Sequence, residues 1–160
     1  MALRQMESTK VKVGQNDFHI KPFPAFKAAN LAGELASVLS PIIGAIAPLA
    51  NDGNLMDVDV TKAADVLSTT SLVSGDKLES LLKKLLLSDN IVIEYENEDG
   101  DKEQDTLNRD LADEVFCGNV QDMFVLAFHV IKLNFNGFFE KLVTPSGKAE
   151  QVATKTRKIL

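Results

Sequence analysis

The sequence predicts an α+β protein that is mainly helical, with its helices packed in one core. Two observations predict the helices: leucines recur at helical spacing between Leu78 and Leu86, and the stretch from Val120 to Phe135 is apolar around nearly its whole circumference. A third predicts the strands, because apolar and polar residues alternate near residues 11–20 and 91–95. A helix that is apolar on nearly all sides must be buried or covered by a partner.

The first 50 residues predict a β-hairpin followed by two helices. Apolar and polar residues alternate on both sides of a turn at Gly14–Asp17, which indicates an N-terminal hairpin. After two prolines, a helix is expected from Ala25 to Leu39. Pro41 should kink or restart it, and a short second helix is expected from Ile42 to Leu49.

The middle of the chain predicts two further helices and their caps. Asp59 or Thr61 is expected to cap a helix that ends at Ser74–Gly75. Asp76 and Glu79 are spaced as a capping pair for the leucine-rich helix that follows.

The last part of the chain predicts a second strand pairing near residues 91–105, in which the returning strand has a weak pattern. Thr106 or Asn108 is expected to start the next helix, and Cys117–Asn119 to separate it from the long apolar helix. A final short turn is expected around Gly137. Residues 1–142 are predicted to form a single helical domain with hairpins. Residues 143–160 lose the apolar period and are expected to form a flexible basic tail.

The net charge of −6 is unevenly distributed along the 160 residues. Basic residues are concentrated before residue 13 and after residue 147, so the middle of the chain is more acidic than the whole. An acidic surface repels phosphate backbones and anionic lipids, so neither nucleic acid nor a membrane is an expected partner, except through the basic ends of the chain. The single cysteine, the lack of a signal-peptide pattern and the lack of an apolar stretch of roughly 20 residues predict a cytoplasmic protein.

A run of acidic residues invites a calcium-site hypothesis, since eleven carboxylates lie between Asp89 and Glu114. If Gly100 were the sixth residue of an EF-hand loop, the first and twelfth ligands would be Tyr95 and Thr106, and neither supplies a carboxylate. A solvated acidic hairpin is therefore the favoured interpretation. A contact for a basic partner and a cation site are the alternatives.

His19, His129 and Cys117 are the candidates for metal or acid–base chemistry. Two histidines and one cysteine are too few for a zinc site unless carboxylates converge on them. Structural histidines, and a cysteine that behaves as a small buried hydrophobe, are favoured over a Cys–His nucleophile pair. Phosphate-loop, dinucleotide-binding and hydrolase motifs are absent from the sequence. We therefore predict no catalytic residue, no metal and no cofactor.

Small residues are concentrated in the predicted first helix, where they permit another helix to approach closely. They are Ala28, Ala29, Ala32, Gly33 and Ala36. Packing within the chain and association between copies explain them equally well.

Three blocks of sequence resemble the tail assembly chaperones of long-tailed bacteriophages. They are FHIKPFPAFKAANLAGELASVLSPIIGAIAPL, LESLLKKLLL and LADEVFCGNVQDMFVLAFHVIKLNFNGFF, and the resemblance extends from about Asp17 to Leu142. It implies a cytoplasmic, non-enzymatic protein that binds and solubilises the tape measure protein until the tail tube polymerises, and that is absent from the finished virion. It also implies a homo-oligomer, and a longer form made by ribosomal frameshifting that would contact the tail-tube protein.

Partner contacts are predicted on the long apolar helix and just after it. The candidates are Phe124, Phe128, Ile131, Phe135 and Phe138. Core packing is the alternative for each of them. For the whole protein, the alternatives are a structural tail or head-completion subunit that stays in the particle, and a small cytoplasmic enzyme.

Overall fold

The computed structural model describes residues 7–42, 59–69 and 73–135. Within these ranges it contains five α-helices and one antiparallel sheet of four strands, in the order β1-β2-β3-β4. Helical residues outnumber strand residues there, so the predicted mainly helical α+β fold is confirmed.

The predicted N-terminal hairpin is present and consists of β1 (Thr9–Val13) and β2 (Asn16–Ile20). Their pairing leaves only Gly14 and Gln15 in the turn. Gly14 has a φ of +61°, and a Cβ atom added there would lie 2.8 Å from Oδ2 of Asp122. The turn therefore needs glycine both for its backbone conformation and for the close approach of the helix that carries Asp122.

The second predicted pairing is formed by β3 (Ile91–Glu96) and β4 (Lys102–Thr106). β4 is exposed along its whole length, which explains why its sequence lacks an apolar alternation. β2 pairs with β3, with Ile20 opposite Ile91, and this pairing joins the two hairpins into one sheet.

α1 (Ala25–Leu39) begins after two prolines and continues into a short 3₁₀ helix, Ser40–Ile42. The change of geometry falls at Pro41, which has no backbone N–H to continue the α-helix, as predicted. Beyond residue 42, the predicted helix that ends at Leu49 lies outside the described residues.

α2 (Val60–Thr69) is capped by Asp59, one of the two predicted caps. Oδ1 of Asp59 accepts a hydrogen bond from the backbone N–H of Thr61 at 2.9 Å. This bond satisfies one of the N–H groups that a helix leaves unpaired at its start.

α3 (Gly75–Leu86) begins with a different cap from the predicted one. Ser74 has an extended backbone, and its hydroxyl accepts a hydrogen bond from the backbone N–H of Lys77 at 3.4 Å. The predicted Asp76–Glu79 capping pair is therefore wrong, because the chain enters this helix at Ser74. Asp76 lies instead in the first turn, where a carboxylate complements the helix dipole.

α4 (Arg109–Val115) and α5 (Val120–Asn134) are the last two helices of the described chain. Asn108, one of the predicted starts, caps α4: its Oδ1 accepts a hydrogen bond from the backbone N–H of Leu111 at 2.9 Å. The predicted break between the two helices contains Gly118, whose φ is +76°. Both helix starts fall where the sequence indicated.

α5 lies in the core, in contact with α2, α3 and β1. Its buried residues point in several directions around the helix, as its apolar circumference predicted. They are Phe124, Leu126, Ala127, Phe128, Val130 and Ile131. The sheet contributes Phe18, whose ring stacks on Phe116 with a centroid separation of 6.0 Å. The C-terminal end of α5 also anchors the chain before α1, since the N–H of Phe23 donates to Oδ1 of Asn134 at 2.7 Å.

Three predictions about the C-terminal region fall outside the described residues. They concern the turn around Gly137, the domain boundary at residue 142 and the basic tail of residues 143–160. All three stay predictions.

Candidate functional site

The main candidate site is an apolar groove on the helical side of the molecule, which we call the α3–α5 groove. It lies between α3, α4 and the first turns of α5, and it has a volume of about 490 Å³. Its apolar lining consists of Leu78, Leu82, Leu86, Leu87, Ala112, Met123 and Phe124, with Val120 at the edge. This volume is within the range of about 300–1,000 Å³ that is typical of ligand-binding pockets.

The groove exists because the apolar stripe of α3 is wider than its contact with the core. Leu81 and Leu85 are buried, whereas Leu78 and Leu82 lie on the flank of the helix and are only half-buried. α4 lines the opposite side of the groove through Ala112 and Asp113 and leaves these two leucines partly exposed. An apolar surface of α3 therefore stays open to a partner.

Two ion pairs flank the groove. Nζ of Lys83 lies 2.6 Å from Oε1 of Glu79, and Nε of Arg109 lies 4.0 Å from Oδ2 of Asp113. The hydrogen bond from Lys83 lowers the pKa of the Glu79 carboxyl below its usual value, and the charge of Arg109 adds a smaller effect in the same direction. These four side chains balance each other, so the groove has no net charge although the protein is acidic.

The predicted contact residues have different positions in the structure. Phe124 forms part of the groove lining but is only 6% exposed. Phe128, Ile131 and Phe135 are buried in the core, which supports the core-packing alternative for these three. Phe138 lies outside the described residues. A contact between these side chains and a partner stays a prediction.

Most of the groove residues were not predicted as contacts. Leu78 and Leu82 belong to the leucine stripe that predicted α3, and their role as surface residues depends on where α4 lies. Val120 is 52% exposed, which is unusual for a large apolar residue of this structure.

The histidines and the cysteine are spread over the structure. Nε2 of His19 lies 2.8 Å from Oε1 of Glu94 on the outer face of the sheet. His129 is half-buried on α5, and burial lowers its pKa, with a smaller contribution from Lys132. Cys117 is exposed, so the prediction of a buried cysteine is wrong: this residue lies in the turn after α4, where the chain leaves the core. No group of three or more metal-ligating side chains is found in the described part of the chain.

The acidic run forms the exposed β3–β4 hairpin and the segment that follows it. The hydroxyl of Tyr95 lies 2.6 Å from Oδ2 of Asp105 and 3.1 Å from Oε2 of Glu103. Hydrogen bonds to these two carboxylates raise the pKa of Tyr95. The hairpin therefore uses some of its carboxylates to bind its own tyrosine.

The fold and the groove define a class of protein: a helix-rich α+β protein with an open apolar groove whose flanking charges balance. The family model of the phage tail assembly chaperone protein, TAC, matches residues 14–147. The chain therefore belongs to the phage tail assembly chaperone family, and the resemblance seen in its three sequence blocks is confirmed. The match includes every residue of the α3–α5 groove.

Two other comparisons and a search for membrane spans gave negative results. No curated protein and no solved structure matches the chain. Among the described helices, none combines the length and the apolar character that crossing a membrane requires.

Proposed function

We propose that this tail assembly chaperone binds apolar helical segments of the phage tape measure protein in the α3–α5 groove and keeps that protein soluble until the tail tube polymerises. The observation that carries the proposal is the groove itself, an open apolar surface on a protein of a chaperone family. The action is binding, without catalysis. It takes place in the host cytoplasm, and the chaperone is absent from the finished virion.

The dimensions of the groove support a helical ligand. α3 has twelve residues and is therefore about 18 Å long, or a little over three helical turns. An amphipathic helix laid along such a groove would place residues i, i+3 or i+4, and i+7 against the leucines. The groove carries no net charge at its rim, so it would accept an apolar helix without requiring a charged partner sequence.

The length of a tape measure protein implies that many copies act together. Each groove would cover only a short helical segment, so a homo-oligomer or a row of copies would bind with an avidity well above that of one contact. Weak single contacts would also release the tape measure protein when tube subunits compete for it. A longer frameshifted form, if made, would add a contact to the tail-tube protein.

A charge placed in the groove tests the proposal. We expect Val120→Asp to reduce the soluble fraction of a co-expressed tape measure protein and its co-purification with the chaperone. Val120 is 52% exposed and lies in the first turn of α5, where an added carboxylate is compatible with the helix dipole, so the variant should keep its fold.

Asn119→Asp is the matched control. Asn119 is the neighbouring residue, is exposed, and faces a different depression beside the β1–β2 turn. This variant adds the same charge one residue away and should retain the solubilising effect. Equal solubilisation by both variants would exclude the groove as the binding surface, and no gain in solubility from the unmodified protein would overturn the proposed function.

A further inference from the structure

We propose that the outer face of α1 is a self-association surface, on which two copies of this chain pair with their α1 helices antiparallel. The α1 outer face is formed by the exposed residues Phe26, Ala29, Asn30, Gly33 and Ser37. The proposal does not depend on binding of the tape measure protein, because it concerns a different surface and a contact between copies.

The main observation is Phe26. Its side chain is 94% exposed, whereas the only other large apolar side chain described as exposed, Val120, is 52% exposed. Phe26 lies at the first turn of α1, and the opposite face of the helix packs on the core through Leu31 and Leu35. An aromatic ring that projects fully into water from an ordered helix is typical of a residue that anchors a protein contact.

The α1 outer face also has an open position that can accept the Phe26 ring of a second chain. Gly33 lies seven residues after Phe26, about two turns and about 10 Å further along the same side of the helix. Nothing lies within 4 Å of a Cβ atom built on Gly33, so the space above it is open. Reversing the direction of a second α1 places the Phe26 of each copy over the Gly33 of the other, which is the reciprocal arrangement that a twofold contact requires.

The charges of α1 fit the same arrangement. Lys27 and Glu34 are its only charged residues, and they too are seven residues apart, so they lie on one flank of the outer face. In a twofold antiparallel pair, the Lys27 of each copy faces the Glu34 of the other. Nζ of Lys27 lies 5.7 Å from the centroid of the Phe23 ring and has no acidic partner among the described residues. Glu34 contacts Lys84 through Oε1 only.

The charge of the chain favours this face over the acidic β3–β4 hairpin for contact between copies. The protein carries a net charge of −6, and the exposed β3–β4 hairpin would repel a second acidic hairpin. α1 is neutral, so two copies meet there without a net electrostatic penalty. A contact of about three turns of helix is smaller than the roughly 1,200 Å² of a standard stable interface, so the pair should form at high local concentration.

Disulfide trapping tests both the contact and its direction. In a Cys117→Ser background, which removes the exposed native thiol, we expect Asn30→Cys to form a covalent dimer under mild oxidation. Residue 30 lies next to the twofold axis of the proposed pair, so its two copies come together. Ser37→Cys is the matched control: it is exposed on the same face, but its two copies would be about 22 Å apart along an antiparallel pair.

The expected result is trapping at position 30, at a rate at least about tenfold higher than at position 37. Adding Phe26→Ala to the Asn30→Cys protein should lower the trapping rate about tenfold, while the circular dichroism spectrum stays unchanged. Equal trapping at both positions would indicate parallel or random contact and would overturn the proposal. Absence of trapping at position 30, or trapping that does not respond to Phe26→Ala, would also overturn it.

Discussion

At the scale of single residues, the structure separates aromatic side chains that stabilise the fold from one that does not. Phe135 is 5% exposed at the end of α5, and Phe26 is 94% exposed at the start of α1. Composition alone treats both as apolar residues with the same tendency to be buried. Their different environments predict opposite results when each is shortened to alanine.

We expect Phe135→Ala to lower the free energy of unfolding by about 3–5 kcal/mol, because it leaves a cavity beside the core. Phe26→Ala should change the free energy of unfolding by no more than about 0.5 kcal/mol, since its ring contacts water in the single chain. Urea denaturation followed by circular dichroism measures both values. A Phe135→Ala protein as stable as the parent would mean that this ring is available to a partner.

The half-buried imidazole of His129 makes stability depend on pH. Burial disfavours its charged form, so its pKa lies below the ordinary histidine value of 6.5. The unfolded chain therefore takes up the proton at a higher pH than the folded chain does. Stability conferred by the neutral form is therefore present above pH 6.5 and is lost as the pH falls below this value.

We expect the melting temperature to decrease as the pH is lowered from 8 to 5.5. The His129→Gln variant should show a smaller decrease. Glutamine keeps a polar side chain of similar size on α5 but does not titrate. Glu94, on the sheet, has a carboxyl with a lowered pKa. It titrates below this pH window, so it should not contribute to the change in melting temperature. The same pH dependence in the His129→Gln protein would contradict this assignment.

At the scale of secondary-structure elements, two glycines differ in what their positions require. Gly14 has a φ of +61°, and a Cβ atom there would meet Asp122 on α5 at 2.8 Å. Gly33 lies inside α1 with open space around it. The first position requires glycine, whereas the second merely tolerates it.

We expect Gly14→Ala to lower the free energy of unfolding by about 1–3 kcal/mol, through backbone strain and the contact with Asp122. Gly33→Ala should raise it by about 0.5–1 kcal/mol, because alanine is the better helix former at an exposed interior position. Chemical denaturation of both variants at low protein concentration measures the effects on the single chain. A destabilised Gly33→Ala protein would show that α1 is not a regular helix at this point.

The elements that the sequence predicts well are those with a strong local signal. α3 and α5 follow from leucine spacing and from an apolar circumference. The first hairpin follows from alternation on both sides of its turn, and the second from alternation in β3 alone. The pairing of Ile20 with Ile91 has no local signal, because it brings together two hairpins that are far apart in the chain. The cap of α3 was misassigned because Ser74 and Gly75 suit the end of one helix as well as the start of the next.

The candidate site is less predictable than the fold, because packing between distant segments forms it and no local sequence signal marks it. The residues chosen from the apolar helix include Phe124 of the groove lining, but Phe128 and Ile131 pack in the core. Periodicity indicates that a helix has an apolar face and does not indicate how much of that face a neighbour covers. Leu78 and Leu82 form part of the groove because α3, α4 and α5 pack around it, which is a property of the packed structure.

At the scale of the whole molecule, the apolar surfaces lie apart from the acidic ones. The α3–α5 groove and the α1 outer face carry balanced charges, while the β3–β4 hairpin carries much of the acidic excess. Acidic surfaces keep copies apart and in solution, and neutral apolar surfaces permit contacts at defined places. This separation suits the proposed function, in which copies stay in solution while their apolar surfaces make specific contacts.

Release is the part of the proposed function that distinguishes a chaperone from a structural subunit. A tape measure protein inside the finished tube is enclosed by tube subunits, so a chaperone bound to its helices must leave before the tube closes. We expect mass spectrometry to detect this chain at high abundance in infected-cell lysates, and at less than one copy per tape measure protein in purified virions. The tail-tube protein, quantified in the same samples, is the control for recovery. A fixed stoichiometric amount of this chain in virions would contradict its release and would favour the structural alternative, even if the groove proved to bind the tape measure protein.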